Sequence, residues 1–128
     1  MNYAQYVGIP FVDAGRSRKG CDCWGLVRLV LQEQFGKSLP AFDDYEKSTR
    51  DESERQVAMG LKKLNVVKVE TPQEGDIALM RIRGALSHVG LYLGGGEILH
   101  TMRGTYSVIE SASSYRLCTK IEGYYRVC

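Results

Sequence analysis

Apolar positions recur at helical spacing over one long stretch of this chain. From Trp24 to Phe35, the side chains of Trp24, Val27, Val30 and Leu31 share a face that Leu26 and Leu29 widen, which predicts a largely buried helix stopping at Gly36. Asp22 precedes it as a candidate N-cap, so Cys23 falls in the first turn, where backbone N–H groups lack helical partners. A second helix is expected from about Ser53 to Leu64, with Val57, Leu61 and Leu64 on one face and Asp51, Glu52 and Glu54 loading its N-terminus. Between the two, Lys37 to Arg50 reads as a polar connector containing Pro40.

After Asn65 the pattern shortens to β-rich runs separated by glycine-bearing turns. Val66–Val69, Ile77–Ile82, His88–Leu93, Ile98–Met102 and Tyr106–Ile109 are strand candidates, and Tyr124–Val127 is a closing strand. Ser113 to Ile121 reads as a short helix or an irregular turn. Gly94-Gly95-Gly96 is a hairpin turn and not a phosphate cradle, because no Lys-Ser/Thr and no helix follow it. Helices first and a strand meander afterwards indicate an α+β fold with an antiparallel sheet.

Composition narrows the class without naming a partner. The 128 residues suit one domain, 1–128, and 44% apolar with 25% charged residues is ordinary for a globular chain. The formal charge is +2, and the run Arg16-Ser17-Arg18-Lys19 has no interleaved aromatics, so it reads as a solvated loop and no nucleic acid is expected. Met1 to Gly20 carries no apolar run of secretory length, and nothing later approaches the roughly 20 apolar residues of a spanning helix. A chain made in the cytoplasm without membrane insertion is expected. The four cysteines, Cys21, Cys23, Cys118 and Cys128, are expected to be reduced thiols.

Candidate chemistry gathers at Cys23 and the chain's only two histidines, His88 and His100. A thiol attacks as the thiolate, and a helix N-terminus favours that form while offering the backbone N–H of Cys23 as an oxyanion donor. His88, at the head of Ser87-His88-Val89-Gly90-Leu91-Tyr92-Leu93, is the candidate base. His100, on the next strand of the same hairpin, is placed to fix its tautomer. For each residue alone a core or surface role is the default, and the combination tips the reading toward catalysis. Cys21, Cys23, His88 and His100 also make a sulfur–nitrogen set of the kind zinc takes. The single residue between the cysteines is tighter than zinc-knuckle spacing and the histidines are unpaired, so no metal and no other cofactor is expected.

Gly20-x-Asp22-Cys23-x-Gly25-Leu26-Val27, Gly75-Asp76-Ile77, Ser87-His88-Val89-Gly90-Leu91-Tyr92 and Ile98-Leu99-His100 together resemble the NlpC-type cell-wall cysteine peptidases, from about Gly8 to Tyr125. The resemblance implies a papain-like α+β fold, N-terminal helices packed on an antiparallel sheet, with Cys23 as nucleophile, His88 as base and His100 as orienting residue. It also implies a peptidoglycan stem-peptide substrate, cut at the amide between γ-D-glutamate and a diamino acid. Asp22, Trp24 and Ser87, beside these positions, are candidate substrate contacts, with helix capping and core packing as the structural roles open to Asp22 and Trp24.

Two departures from the family pattern carry information. Gly8-Ile9-Pro10-Phe11 has phenylalanine where the family often has a site tyrosine, and Tyr3 or Tyr6 is left as a source of that hydroxyl. Trp24 replaces the usual serine after the nucleophile, which resembles single-domain versions from tailed bacteriophages and gene-transfer particles. With no export signal in view, a virion location and phage tail-tip partners are expected. The alternatives are a tail assembly protein that keeps the fold without catalysis, and an amidase or acyltransferase using the same three residues.

Overall fold

The computed structural model describes residues 2–41 and 65–128. The expected Ser53–Leu64 helix and residues 42–50 of the connector lie outside the described residues. A 3-10 turn, Ala4–Tyr6, leads to the short antiparallel hairpin of β1 (Arg16–Ser17) and β2 (Gly20–Cys21), and α1 (Cys23–Phe35) follows. Six strands then form one sheet: β3 (Val66–Val69), β4 (Ile77–Ile82), β5 (Ala85–Tyr92), β6 (Glu97–His100), β7 (Val108–Ser111) and β8 (Ile121–Val127). Their order is β3-β8-β4-β5-β6-β7 and every neighbouring pair is antiparallel. The class is α+β, as the pattern predicts, with one α-helix among the described residues.

Strand periodicity sorts the sheet into two faces. Ile77, Leu79, Val89, Leu91 and Leu99 pack with Leu26, Val27, Val30 and Leu31 of α1 in one core. Ala78, Met80 and Ile98 belong to the other, with Leu117 from the 112–120 turns. Leu26, Val27, Val30 and Leu31 are almost wholly enclosed, and such burial is worth about 1.5–3 kcal/mol per side chain. That face secures α1 to the sheet. No helix among the described residues is long and apolar enough to cross a membrane.

Several strand limits differ from the periodicity for one reason. The segment after β6 does not extend to Met102, and Tyr106 does not begin a strand but bridges to Pro10. Phe11 N–H donates to Thr105, Ser107 N–H to Ile9 and Gly8 N–H to Ser107. These pairings span most of the sequence, so local spacing carries no trace of them. The 113–120 stretch resolves into successive turns, and β8 begins at Ile121, earlier than Tyr124.

The start of α1 is fixed with unusual completeness. Asp22 Oδ1 accepts the Gly25 N–H at 2.8 Å as the N-cap, and its Oδ2 accepts the Ala14 N–H at 3.2 Å. Arg16 Nη1 donates to Asp22 Oδ1 at 2.7 Å, and both side chains are nearly enclosed, 10% and 4% exposed. Arg16 therefore belongs to the interior, against the expectation of a solvated basic loop. Gly25 lies so close to the hairpin that an added Cβ would stand 2.1 Å from the Gly15 carbonyl oxygen. Only glycine lets the helix dock there.

Asp22→Ala should cost about 3–5 kcal/mol, because it removes the cap and leaves a buried guanidinium without its carboxylate. Asp22→Asn, which keeps a capping oxygen, should lose less. Urea denaturation of the two variants checks the order, and equal stability of Asp22→Ala and the native chain would remove the pair from this role.

Candidate active site

Cys23 is the first residue of α1 and is partly exposed. Its Sγ receives the backbone N–H groups of Val89 and Trp24. The Val89 contact has a structural origin in the sheet. Leu93 N–H donates to Glu97 across the β5–β6 edge, and alternate N–H groups of a strand point the same way, so that of Val89 faces this edge too. The β5–β6 register pairs only Leu91 with Leu99 and Tyr92 with Ile98, and Val89 lies beyond it. The sulfur takes up the donor that the sheet leaves over, next to His88 in sequence.

The two histidines come from adjacent strands and meet through their rings. His88 Nε2 and His100 Nδ1 are 3.0 Å apart, with the rings edge to face at 71°. Between them in the sheet lies Gly90, where a Cβ would approach Met80 Cε to 3.0 Å and His100 Cβ to 3.1 Å. A side chain there would compete with His100 for its place. Just before His88, the β4–β5 register shifts, pairing Met80 with His88 and Arg81 with Leu86 and leaving Ser87 without a cross-strand partner.

Beyond His100 the polar line continues to residues the sequence analysis did not single out. His100 Nε2 stands 3.7 Å from Glu110 Oε2 on β7, and Glu110 Oε1 stands 3.5 Å from Arg116 Nη1. The signal lay in the alternation. Glu110 pairs with Ile98 and Val108 with His100, so Glu110 sits diagonally across from His100 on the same face.

Burial sets the protonation states. It pushes the Cys23 thiol up to about 12, with the Asp22 carboxylate adding to the rise, and the N–H donors of Val89 and Trp24 and the Arg16 charge recover only part of it. Burial likewise pulls His88 down from 6.5 to about 3, assisted by His100 and the positive charge of Lys120. His100 is lowered by burial, against an opposing pull from Glu110. Both shifts favour the uncharged forms, a neutral thiol and a neutral imidazole. Desolvation at this site works against the thiolate that the helix terminus would favour.

The other candidates occupy structural places. Asp22 is 3% exposed with both carboxylate oxygens engaged, and it caps α1. Trp24 is 3% exposed and donates Nε1–H to Pro40 at 2.9 Å, which makes it core packing. Ser87 is half-buried, its hydroxyl donating to Ala85 at 3.3 Å. The hydroxyls of Tyr3 and Tyr6 are committed to Glu74 and Glu33, so neither supplies the group that Phe11 lacks. Phe11 instead lies under Arg103, 5.4 Å from guanidinium to ring, while Arg103 pairs with Asp13. Among the described residues no three His, Cys, Asp or Glu side chains converge to hold a metal ion. The four cysteines are unpaired.

Comparison with known proteins places this geometry in a family setting. The NlpC/P60 family model matches residues 8–121. The murein DD-endopeptidase MepS/murein LD-carboxypeptidase of Escherichia coli K12 is 29% identical over 109 residues, 85% of this chain and 50% of that protein. The gamma-D-glutamyl-L-lysine dipeptidyl-peptidase of Bacillus subtilis 168 is 29% identical over 108 residues, 82% of this chain and 31% of that one. The chain thus spans half or less of these relatives. In fold it matches the NlpC/p60 domain of the peptidoglycan hydrolase SagA, with TM-score 0.65, 21% identity and 97% and 92% of the two chains covered. It also matches RipD of Mycobacterium tuberculosis, described as a non-catalytic NlpC/p60 domain protein, with TM-score 0.60, 22% identity and 98% and 91% covered.

The neutral pair has two measurable signatures. Because the unfolded chain takes a proton on His88 near pH 6.5 and the folded chain refuses it until about 3, that residue's contribution is complete above pH 6.5 and lost as pH falls through this window. Native stability should therefore fall more steeply from pH 6.5 to 3 than that of His88→Gln, with parallel curves as the contrary result. Alkylation of Cys23, followed by peptide mapping to separate it from exposed Cys118 and Cys128, should keep rising with pH past about 8.5, the ordinary thiol range. A plateau below neutrality would mean a resting thiolate.

Proposed function

Because the chain belongs to the NlpC/P60 family, we propose that it is a cysteine peptidase that hydrolyses peptidoglycan stem peptides, with Cys23 as nucleophile, His88 as base and His100 as the orienting residue. The observation that carries this reading is the imidazole pair, His88 Nε2 on His100 Nδ1 at 3.0 Å, with the Cys23 sulfur on the N–H of Val89, the residue next to His88. With Nε2 so engaged, Nδ1 of His88 is the nitrogen left to take the thiol proton. Attack and proton transfer then occur together, since neither charge alone is stable in the site and the two arise side by side. Sulfur bonds to the carbonyl carbon, and His88 passes the proton to the leaving amine. Water, deprotonated by His88, cleaves the thioester and restores the thiol.

The bond between γ-D-glutamate and the diamino acid is the substrate we favour, supported by the activity named for the Bacillus subtilis relative. A phage tail-tip setting is proposed on Trp24 alone, which stands where the family usually has serine. A second reading, wall binding without turnover, is favoured by Phe11 and by the committed hydroxyls of Tyr3 and Tyr6. RipD shows the same fold under a non-catalytic description.

Incubation with purified muropeptides and mass spectrometry of the products should give cleavage at the γ-glutamyl amide by the native chain and at least about 100-fold less by Cys23→Ala, the lower range of what such groups contribute. Equal cleavage by both would remove Cys23 as nucleophile. Binding of the muropeptides with no product from either would favour the second reading, and transfer to an added amine would favour an acyltransferase.

A further inference from the structure

We infer that Glu110 is a positioning residue that fixes the direction of the proton chain running through His100 to His88, an inference that rests on the peptidase reading above. Glu110 Oε2 and His100 Nε2 face one another at 3.7 Å, both closed off from solvent and neither with a hydrogen-bond partner. Two buried polar atoms left open toward each other are uncommon, because each costs its full desolvation unless paired. The separation is longer than a hydrogen bond, and a shift of less than an ångström closes it. The β6–β7 register holds the two residues on one face, and Arg116 holds the other oxygen of Glu110 at 3.5 Å.

A carboxylate accepts and cannot donate, and this decides every tautomer inward from it. Facing Glu110, His100 carries its proton on Nε2, so its Nδ1 is a lone pair. That lone pair, 3.0 Å from His88 Nε2, requires the His88 proton to be on Nε2. Nδ1 of His88 is then unprotonated and free to receive the proton of Cys23. The opposite chain, with His100 donating from Nδ1, would put the His88 proton on Nδ1 and leave no base. His88 and His100 between themselves are indifferent to this choice, since each ring can play either part. The other charges acting on the two rings, Arg116 and Lys120, are cations that accept no proton and cannot make it.

Glu110→Gln is the sharp test, since it preserves shape while making the chain reversible. The Gln oxygen turns to Arg116, its NH2 donates to His100 Nε2, and both histidine protons move to Nδ1. Nitrogen-15 NMR of labelled histidines should report Nε2–H at both rings in the native chain and Nδ1–H at both in Glu110→Gln. Muropeptide kcat should fall at least about 100-fold, with KM and Tm little changed. Glu110→Asp, which keeps the carboxylate, should keep the native tautomers and recover part of kcat. A folded Glu110→Gln protein with native tautomers at both rings would overturn the inference, as would reversed tautomers in Glu110→Asp. If the native chain cleaves no muropeptide, the peptidase reading fails by itself and the NMR comparison still decides the tautomer assignment.

Discussion

The carboxylate of Asp22 is the group on which the site's geometry depends. It caps α1 through Gly25, receives the Ala14 N–H and holds the buried Arg16 of the adjoining hairpin, so one side chain ties the helix start to the loop that leads into it. Cys23 follows directly and inherits that placement. The same negative charge lies against the sulfur and resists its ionisation. Aim and activation are therefore opposed here. A helix terminus supplies a partial charge that falls off within a turn, whereas desolvation acts on the whole unit charge of a thiolate.

Burial that favours the neutral forms bears on what the histidine pair would do in the proposed reaction. A preformed ion pair would need His88 only as a counter-charge, and its tautomer would be immaterial. A neutral pair needs a lone pair on the correct nitrogen at the moment of attack. Hydrogen-bond direction, more than basicity, is then what the surrounding residues control, and His100, with Glu110 and Arg116 behind it, is built in a line that can carry such a direction.

Much of this was legible in the chain. The 3.6-residue spacing of Trp24 to Leu31 gave α1, Asp22 announced its cap, and the glycine triplet gave the β5–β6 hairpin that sets His88 and His100 on neighbouring strands. Three things were not legible. Pairing of residues 8–11 with 105–107 shortened β6 and displaced β7, and no local window contains both partners. Arg16 looked solvated because its neighbours are polar, although the residue it pairs with is six positions away and buried. The desolvation acting on Cys23 was the third, because sequence reveals a helix start but not how closely its surroundings enclose the thiol. Motif resemblance singled out Cys23, which the structure places at the first position of α1, and said nothing of that balance.

Val89 gives its N–H to a sulfur where a strand would ordinarily offer a carbonyl. The sheet and the Cys23 sulfur are thus rivals for one donor. Each further rung of β5–β6 pairing would strengthen the sheet and strip the sulfur of a contact that favours its negative form. Stabilising this edge by extending β6 is accordingly a route to a firmer and duller protein, and the unfinished rung is a place where the fold holds back from its own completion.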